Sequence, residues 1–309
     1  MRHRSVPRWC VAAAVVVCCM AGAAVAYGAL QTPQPVVVRP GSQWVPSAAP
    51  GAAYIAYAQS RPGHPNQLDA YVKPAGQTRW KVNTRGMAWP GGIDGTTMIY
   101  QQDYRGNSDL HLIDLGTKVR SLPDGVNSAK WEWRPTISNG WILFGRIWGS
   151  RPVKYSIVLH NENTSENRVL ETRRTRPARG LDPGQVNGDF ATWDVYSTRT
   201  GSGTVRLYQI STSTTTSLPL PRGKAQYAPS VLADGTFFFV RADAGVCGRH
   251  VSLWEHTGGG NVVLARLPPG YDVDRTYAVS EGGSESTSVY FDRVRCSNST
   301  SHIYKLTVS

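Results

Sequence analysis

The stretch Tyr227–Leu267, YAPSVLADGTFFFVRADAGVCGRHVSLWEHTGGGNVVLARL, reads as four short strands in succession. A first strand at Ala228–Leu232 meets a tight turn at Asp234-Gly235, and the apolar run Thr236–Val240 follows. After a loop at Asp243–Arg249 comes an alternating strand, Val251–Trp254, and Gly258-Gly259-Gly260 then turns the chain into Val262–Leu264. Branched and aromatic runs bounded by Gly and Asp are the pattern of hairpin-linked strands.

The rest of the chain repeats this unit. Gly51, Gly95, Gly140, Gly188, Gly235 and Gly283 each precede an apolar strand, at spacings of 44, 45, 48, 47 and 48. The strands after them are Ala53–Tyr57, Thr97–Tyr100, Trp141–Phe144, Phe190–Trp193, Thr236–Val240 and Ser288–Phe291. Third strands follow at Leu68–Val72, Leu110–Leu115, Tyr155–Leu159, Val205–Ile210, Val251–Trp254 and His302–Leu306. A period of about 40–50 residues with four strands per unit predicts a β-propeller. Glycine suits the turn because it takes positive φ without strain.

The last repeat has strands at Thr276–Val279, Val289–Arg293 and Ile303–Val308 but no fourth, while Val36-Val37-Val38 precedes the first repeat unclaimed. That run is expected to supply the missing outer strand and close the ring, which removes open sheet edges. The fold class expected is therefore all-β: a six-bladed propeller of four-stranded blades closed by an N-terminal strand and preceded by a signal or anchor segment.

Residues 1–30 read as that segment. Arg2, Arg4 and Arg8 form a positive leader, and Trp9–Leu30 holds no charged residue. As a helix this run would reach about 33 Å, enough to span a bilayer. Ala24-Val25-Ala26 fits a signal-peptidase site, so a cleaved signal peptide and an uncleaved N-terminal membrane anchor both stay open. Val17 before Cys18 argues against a lipoprotein, whose processing motif has a small residue there. The leading arginines favour a cytoplasmic N-terminus, with the bulk secreted or held on the outer side of the cytoplasmic membrane. Residues 31–46 are a Pro-rich linker carrying the closing strand, and residues 47–309 are the propeller.

Cysteine usage fits export. Cys10, Cys18 and Cys19 lie in the leader, which leaves Cys247 and Cys296 in the second-to-third-strand loops of repeats five and six. Equivalent loops of adjacent blades are neighbours, so a disulfide is expected in an oxidising compartment. A catalytic or metal-binding reading of the pair has no companion nearby except His250.

The formal charge is +12, or +9 without the three leader arginines. A basic exported domain suits anionic polymers or head groups. The densest basic run, TRRTRPARG with Arg173, Arg174, Arg176 and Arg179, is expected in the loop from repeat three to repeat four. Trp131-Glu132-Trp133-Arg134 and Arg146-Ile147-Trp148 should open near it on the same face. The candidate ligand-binding residues are Trp131, Trp133, Arg134, Arg146, Trp148, Arg173, Arg174 and Arg176, since guanidinium forks match oxyanions and indole faces stack on sugars or cations. The bland alternative is solvated loop arginines and tryptophans packed between blades.

No catalytic residue, metal ligand set or cofactor emerges. The seven histidines are scattered without metal-ligand spacing, and no Gly-x-Ser-x-Gly elbow or phosphate loop occurs. Asp272 and Asp274 enter repeat six where they can approach the channel mouth together, the bland alternative being two exposed loop aspartates, and the first strands offer few carboxylates. No nucleic-acid motif is present.

Ile93-Asp94-Gly95-Thr96-Thr97-Met98-Ile99-Tyr100, followed by Ser108-Asp109-Leu110-His111-Leu112-Ile113-Asp114, resembles the TolB-type propeller repeat. Leu232–Phe239 and His302-Ile303-Tyr304-Lys305-Leu306 resemble it again, and as architecture the likeness spans residues 47–309. The turn proline of that repeat is kept only at Pro50-Gly51, and its aspartate only in the second and fifth units. The resemblance implies a non-catalytic platform that binds peptides or proteins at the channel mouth. The helical domain of TolB itself has no counterpart here, so its partners are not carried over. The expected function is a non-catalytic exported binding or scaffold protein taking a protein partner or an anionic envelope polymer. Nucleic acid is not expected, and membrane contact arises only through the N-terminal segment if it is uncleaved. The alternative is a propeller enzyme, of glycosidase or metal-dependent lactonase type, using the central channel.

Overall fold

A computed structural model of the chain describes residues 30–150, 152–174, 179–197, 199–281 and 286–309. The signal or anchor reading of residues 1–30 therefore lies outside the described residues but for Leu30, as does Arg176.

Twenty-four strands form six four-stranded antiparallel sheets. β1 (Gln34–Val37) stands apart from the first blade, which is β2 (Gln43–Ala48), β3 (Tyr54–Arg61), β4 (His64–Pro74) and β5 (Trp80–Lys81). Blade two is β6 (Met87–Asp94), β7 (Thr97–Tyr104), β8 (Asn107–Asp114) and β9 (Arg120–Ser121). Blade three is β10 (Trp131–Ser138), β11 (Trp141–Trp148), β12 (Lys154–Asn161) and β13 (Glu166–Arg174). Blade four is β14 (Arg179–Asn187), β15 (Phe190–Ser197), β16 (Gly203–Gln209) and β17 (Thr214–Ser217). Blade five is β18 (Lys224–Val231), β19 (Phe237–Asp243), β20 (Ser252–Thr257) and β21 (Gly260–Arg266). Blade six is β22 (Tyr271–Ser280), β23 (Thr287–Arg295) and β24 (Ser301–Val308), completed by β1.

The ring closes as the orphan valines imply: β1 pairs antiparallel with β24, Gln34 opposite Lys305 and Val37 opposite Ile303. The first blade begins at Gln43, so part of the stretch read as linker already belongs to the propeller. The turn glycines take positive φ at Gly51, Gly95, Gly140, Gly188 and Gly235, while Gly283 lies outside the described residues.

Apolar clusters bind each blade to the next. Phe238, Val240 and Leu253 of blade five pack with Val289, Phe291 and Leu306 of blade six. Each such side chain contributes about 1.5–3 kcal/mol through burial. In four blades an aromatic pair stacks across the second and third strands: Tyr57 on Tyr71, Tyr100 on His111, Phe239 on Trp254 and Phe291 on Tyr304. Cys247 and Cys296 form the expected disulfide between blades five and six. With 49 residues enclosed, it is worth about 4 kcal/mol on the chain-entropy model.

Candidate functional site

Each innermost strand slips register once, between Trp44 and Ser47, Pro90 and Ile93, Trp133 and Thr136, Pro183 and Val186, Tyr227 and Ser230, and Val273 and Thr276. Such bulges bend the strand and re-aim the residue at the bend. In three blades that residue has positive φ: Val45 at 52°, Arg134 at 47° and Ala228 at 50°. A polar side chain on the second strand of the preceding blade accepts its freed N–H. Gln101 Oε1 takes Arg134 N, Asp194 Oδ2 takes Ala228 N and Asp292 Oδ2 takes Val45 N, each at 3.1 Å.

The bulges build the channel mouth. Arg134 of blade three donates to Asp182 of blade four and, at 3.0 and 2.8 Å, to both oxygens of Asp274 across the axis on blade six. Asp292 accepts the backbone N–H groups of Asp274 and Arg275 at 2.9 and 2.8 Å. Tyr227 donates its hydroxyl to Asp272 at the rim. Four carboxylates, Asp182, Asp194, Asp274 and Asp292, thus gather around Arg134 and Arg275, with Asp272 nearby on the Tyr227 hydroxyl.

Electrostatics follow from that excess of acid. Burial pushes Asp182 up to about 6 even against Arg134. Burial together with the charge of Asp274 pushes Asp292 up to about 7. Burial and Asp182 hold Asp194 well above the usual carboxylate range. Burial works against the Arg134 charge, but Asp182 and Asp274 outweigh it and raise its pKa. Arg275, buried and facing Arg134, falls to about 10.

Below the mouth the axis is bridged. Arg275 Nη2 donates to Gly184 O of blade four at 3.2 Å. Gln185 exchanges two hydrogen bonds with the backbone of Ala278, at 2.8 and 3.0 Å. Ile93 N of blade two donates to the Tyr277 hydroxyl at 3.2 Å. These blades are not ring neighbours, so the side chains span the lumen.

The residues singled out in the sequence separate into two groups. Arg134 turns into the axis, and Arg146 is held by Glu132 Oε1 at 2.8 Å and Val126 O at 2.6 Å. Both are structural charges rather than open ones. Arg173 and Arg174, expected in a loop, instead end β13, because the strand extends through them in register with Tyr155 and Lys154. A continuous row then crosses blade three from its innermost to its outermost strand. Trp131 lies opposite Ile147, Ile147 opposite Tyr155 and Tyr155 opposite Arg173. A second row, Trp148, Lys154 and Arg174, lies on the opposite face of the same sheet. Trp131 is 48% exposed. Trp148 lies under the ammonium groups of Lys154 and Lys130, 3.9 and 5.1 Å from its ring. Trp133 packs edge-on against Tyr155, and its enclosed Nε1 has no acceptor among the described residues. Arg173 pairs with Glu171 and lines a cleft of about 540 Å³ with Arg199 and Arg206.

The sequence reading expected few carboxylates at the axis; Asp182, Asp194 and Asp292 correct this. Their signal was the aromatic-x-Pro spacing of Trp44-Val45-Pro46, Trp133-Arg134-Pro135 and Tyr227-Ala228-Pro229, which marks the inner-strand bulge. Among the described residues, the only grouping of three potential metal ligands is Cys247, Asp272 and Cys296, whose sulfurs are bonded to each other. No helix among the described residues is long and apolar enough to cross a membrane.

No protein-family model and no curated protein matches the sequence. Solved structures do. TolB from Acinetobacter baumannii superposes with a TM-score of 0.54 at 15% identity, over 84% of this chain and 65% of that one. The chain thus spans less than two thirds of TolB's own length. An oligogalacturonate lyase from Vibrio parahaemolyticus gives 0.54 at 10% identity, over 87% and 80% of the two chains. An acylaminoacyl peptidase from Pyrococcus horikoshii gives 0.51 at 11% identity, over 82% and 43%. Binding proteins and enzymes share this architecture, and what the likeness carries is the fold: the chain is a six-bladed β-propeller whose fold resembles that of TolB.

Proposed function

We propose that the chain is an exported, non-catalytic binding platform whose partner docks on the mouth face, across the Arg134 network and the aromatic-basic rows of blade three. The observation that carries this is the bridged axis. With Arg275, Gln185 and Tyr277 bridging the lumen, a partner finds its contacts on the face rather than inside. The rows at Trp131, Trp148, Lys154, Arg173 and Arg174 offer indole faces beside cations, a combination enriched in protein-binding surfaces. Export rests on the leader and on the Cys247–Cys296 disulfide, which suits an oxidising compartment. The partner is a protein, or an anionic envelope polymer held by the arginines.

The test is capture of envelope components by the purified protein at low and high salt, repeated with Arg173→Ala combined with Arg174→Ala. The double variant should weaken capture and flatten its salt dependence. Capture unchanged at low salt would remove the rows from the site.

The enzyme reading keeps one observation in its favour, the raised carboxylates Asp182 and Asp292 around Arg134, since shifted groups cluster at catalytic sites. A stoichiometric divalent ion in the purified protein, or turnover of a polysaccharide or lactone abolished by Asp274→Asn, would favour it.

A further inference from the structure

Arginines ride on the stacked aromatic pairs of three blades, and in two of them the guanidinium is satisfied. In blade one, Arg79 lies 4.2 Å from the Tyr71 ring and donates to the Tyr57 hydroxyl and to Gln59. In blade six, Arg293 lies 3.9 Å from the Tyr304 ring and donates to its hydroxyl. Blade five repeats the geometry without the acceptor. Arg241 sits 4.2 Å from the Trp254 ring and 5.4 Å from Phe239. Trp254 stands where the other blades have Tyr71 and Tyr304, and its Nε1 is itself a donor, to Ser252 Oγ at 2.8 Å.

Arg241 consequently has no hydrogen-bond acceptor and no acidic partner among the described residues, and its Nε is enclosed. Burial lowers its pKa with nothing opposing the shift. A charge removed from water without a partner is unfavourable. The neighbouring basic side chains do not share this condition, because Lys224 and His250 are both taken by Asp243.

Arg241 also lines a cleft of about 810 Å³ with Lys224, Trp254, Val262, Arg266 and Leu267, within the size range of small-molecule sites. The cleft lies on the side of blade five facing blade four, where Phe239 and Trp254 pack with Val205 and Leu218. Blade four leaves it uncovered: its outer strand β17 stops after 4 residues. The chain then leaves through Leu218-Pro219-Leu220-Pro221, whose prolines cannot extend the ladder. Arg266, exposed at the rim, adds a second cation with no acidic partner among the described residues.

We infer that this blade-five cleft is a binding site for a small carboxylate with an apolar body, its oxyanion held by the Arg241 fork and its body against Trp254, Val262 and Leu267. The geometry favours carboxylate because the planar guanidinium edge pairs with it bidentately. The site lies at the periphery of blade five, on other residues than the blade-three rows and the Arg134 network, and does not depend on what docks there.

The test is calorimetric titration of the full chain with 2-naphthoate, alongside its neutral isostere 2-naphthalenemethanol and acetate. Naphthoate should bind saturably, and about tenfold or more tighter than either control, since a charge-assisted bidentate pair is worth that discrimination. Arg241→Gln should lose the preference for the anion. Trp254→Tyr should weaken naphthoate binding comparably by restoring the hydroxyl acceptor of blades one and six, with a fold that a neighbouring blade already demonstrates. That second variant keeps the test decisive should Arg241→Gln fail to fold. Equal binding of the neutral isostere, undiminished binding by Trp254→Tyr, or no saturable binding of naphthoate at millimolar concentration would each overturn the assignment.

Discussion

Arg134 and Arg174 belong to the same blade and carry the same charge under opposite conditions. Arg134 sits on the innermost strand at a bulge, with 21% of its side chain exposed and carboxylates from two other blades upon it. Arg174 ends the outermost strand, exposed, with Lys154 as its register partner and no acidic partner among the described residues. At the centre of a propeller six strands converge, so one side chain meets groups from distant parts of the chain. At the periphery each blade meets mainly water. Radial position, rather than local density of arginine in the sequence, separates the structural cation from the one left open to a partner.

The largest expected effect tests this contrast directly. Arg134→Met strands Asp182 and Asp274 beside each other and should cost about 3 kcal/mol in urea unfolding, the low end for breaking a buried pair because the three side chains keep some exposure. A loss no greater than that of Arg174→Ala would erase the distinction. The pH profile should come next. Asp182 and Asp292 titrate at about 6 and about 7 in the folded chain, against about 3.9 when unfolded. The native state therefore holds more protons, and stability falls as pH rises from about 4 to 7. The slope belongs to the mouth, and Asp292→Asn should flatten it in the same unfolding assay. The lowered carboxylates, such as Asp69 beside Arg61, act oppositely and in more acidic solution. Tyr277→Phe removes the acceptor of Ile93 N and should cost about 1 kcal/mol, which sharpens the claim that the lumen is bridged. Arg174→Ala should shift stability by no more than about 0.5 kcal/mol; a larger change would place it with the structural charges.

The frame was legible in the sequence because it is made of local signals. A turn glycine and the strand after it lie within a few residues of one another, and Val36-Val37 stood out because no repeat needed them. The disulfide was legible for the same reason, through equivalent loops in consecutive repeats. The mouth was not. Arg134 meets Asp182 and Asp274 at separations of 48 and 140 residues, and Gln185 reaches Ala278 across 93. No spacing rule joins such residues, since the ring decides which inner strands face each other. Arg173 and Arg174 were misplaced into a loop because a charged outer strand has no apolar alternation, solvent lying on its outer edge. The Arg241 cleft needed comparison between blades, where a single exchange of Tyr for Trp in the third strand changes what the guanidinium has to bond.

Ring closure by β1 has a consequence for how the molecule comes to exist. The first described strand in the chain finds its only sheet neighbour in the last, Gln34 beside Lys305. A chain emerging N-terminus first must therefore hold β1 unpaired until β24 has arrived. Blades one to five can form as local hairpins during that interval, but blade six cannot. Its closure carries the loop entropy of nearly the whole domain and is expected to be the slow step of folding. Until then the ring stands open beside blade one, with unpaired strand edges on both sides of the gap, and the vulnerable species is the complete but unclosed chain.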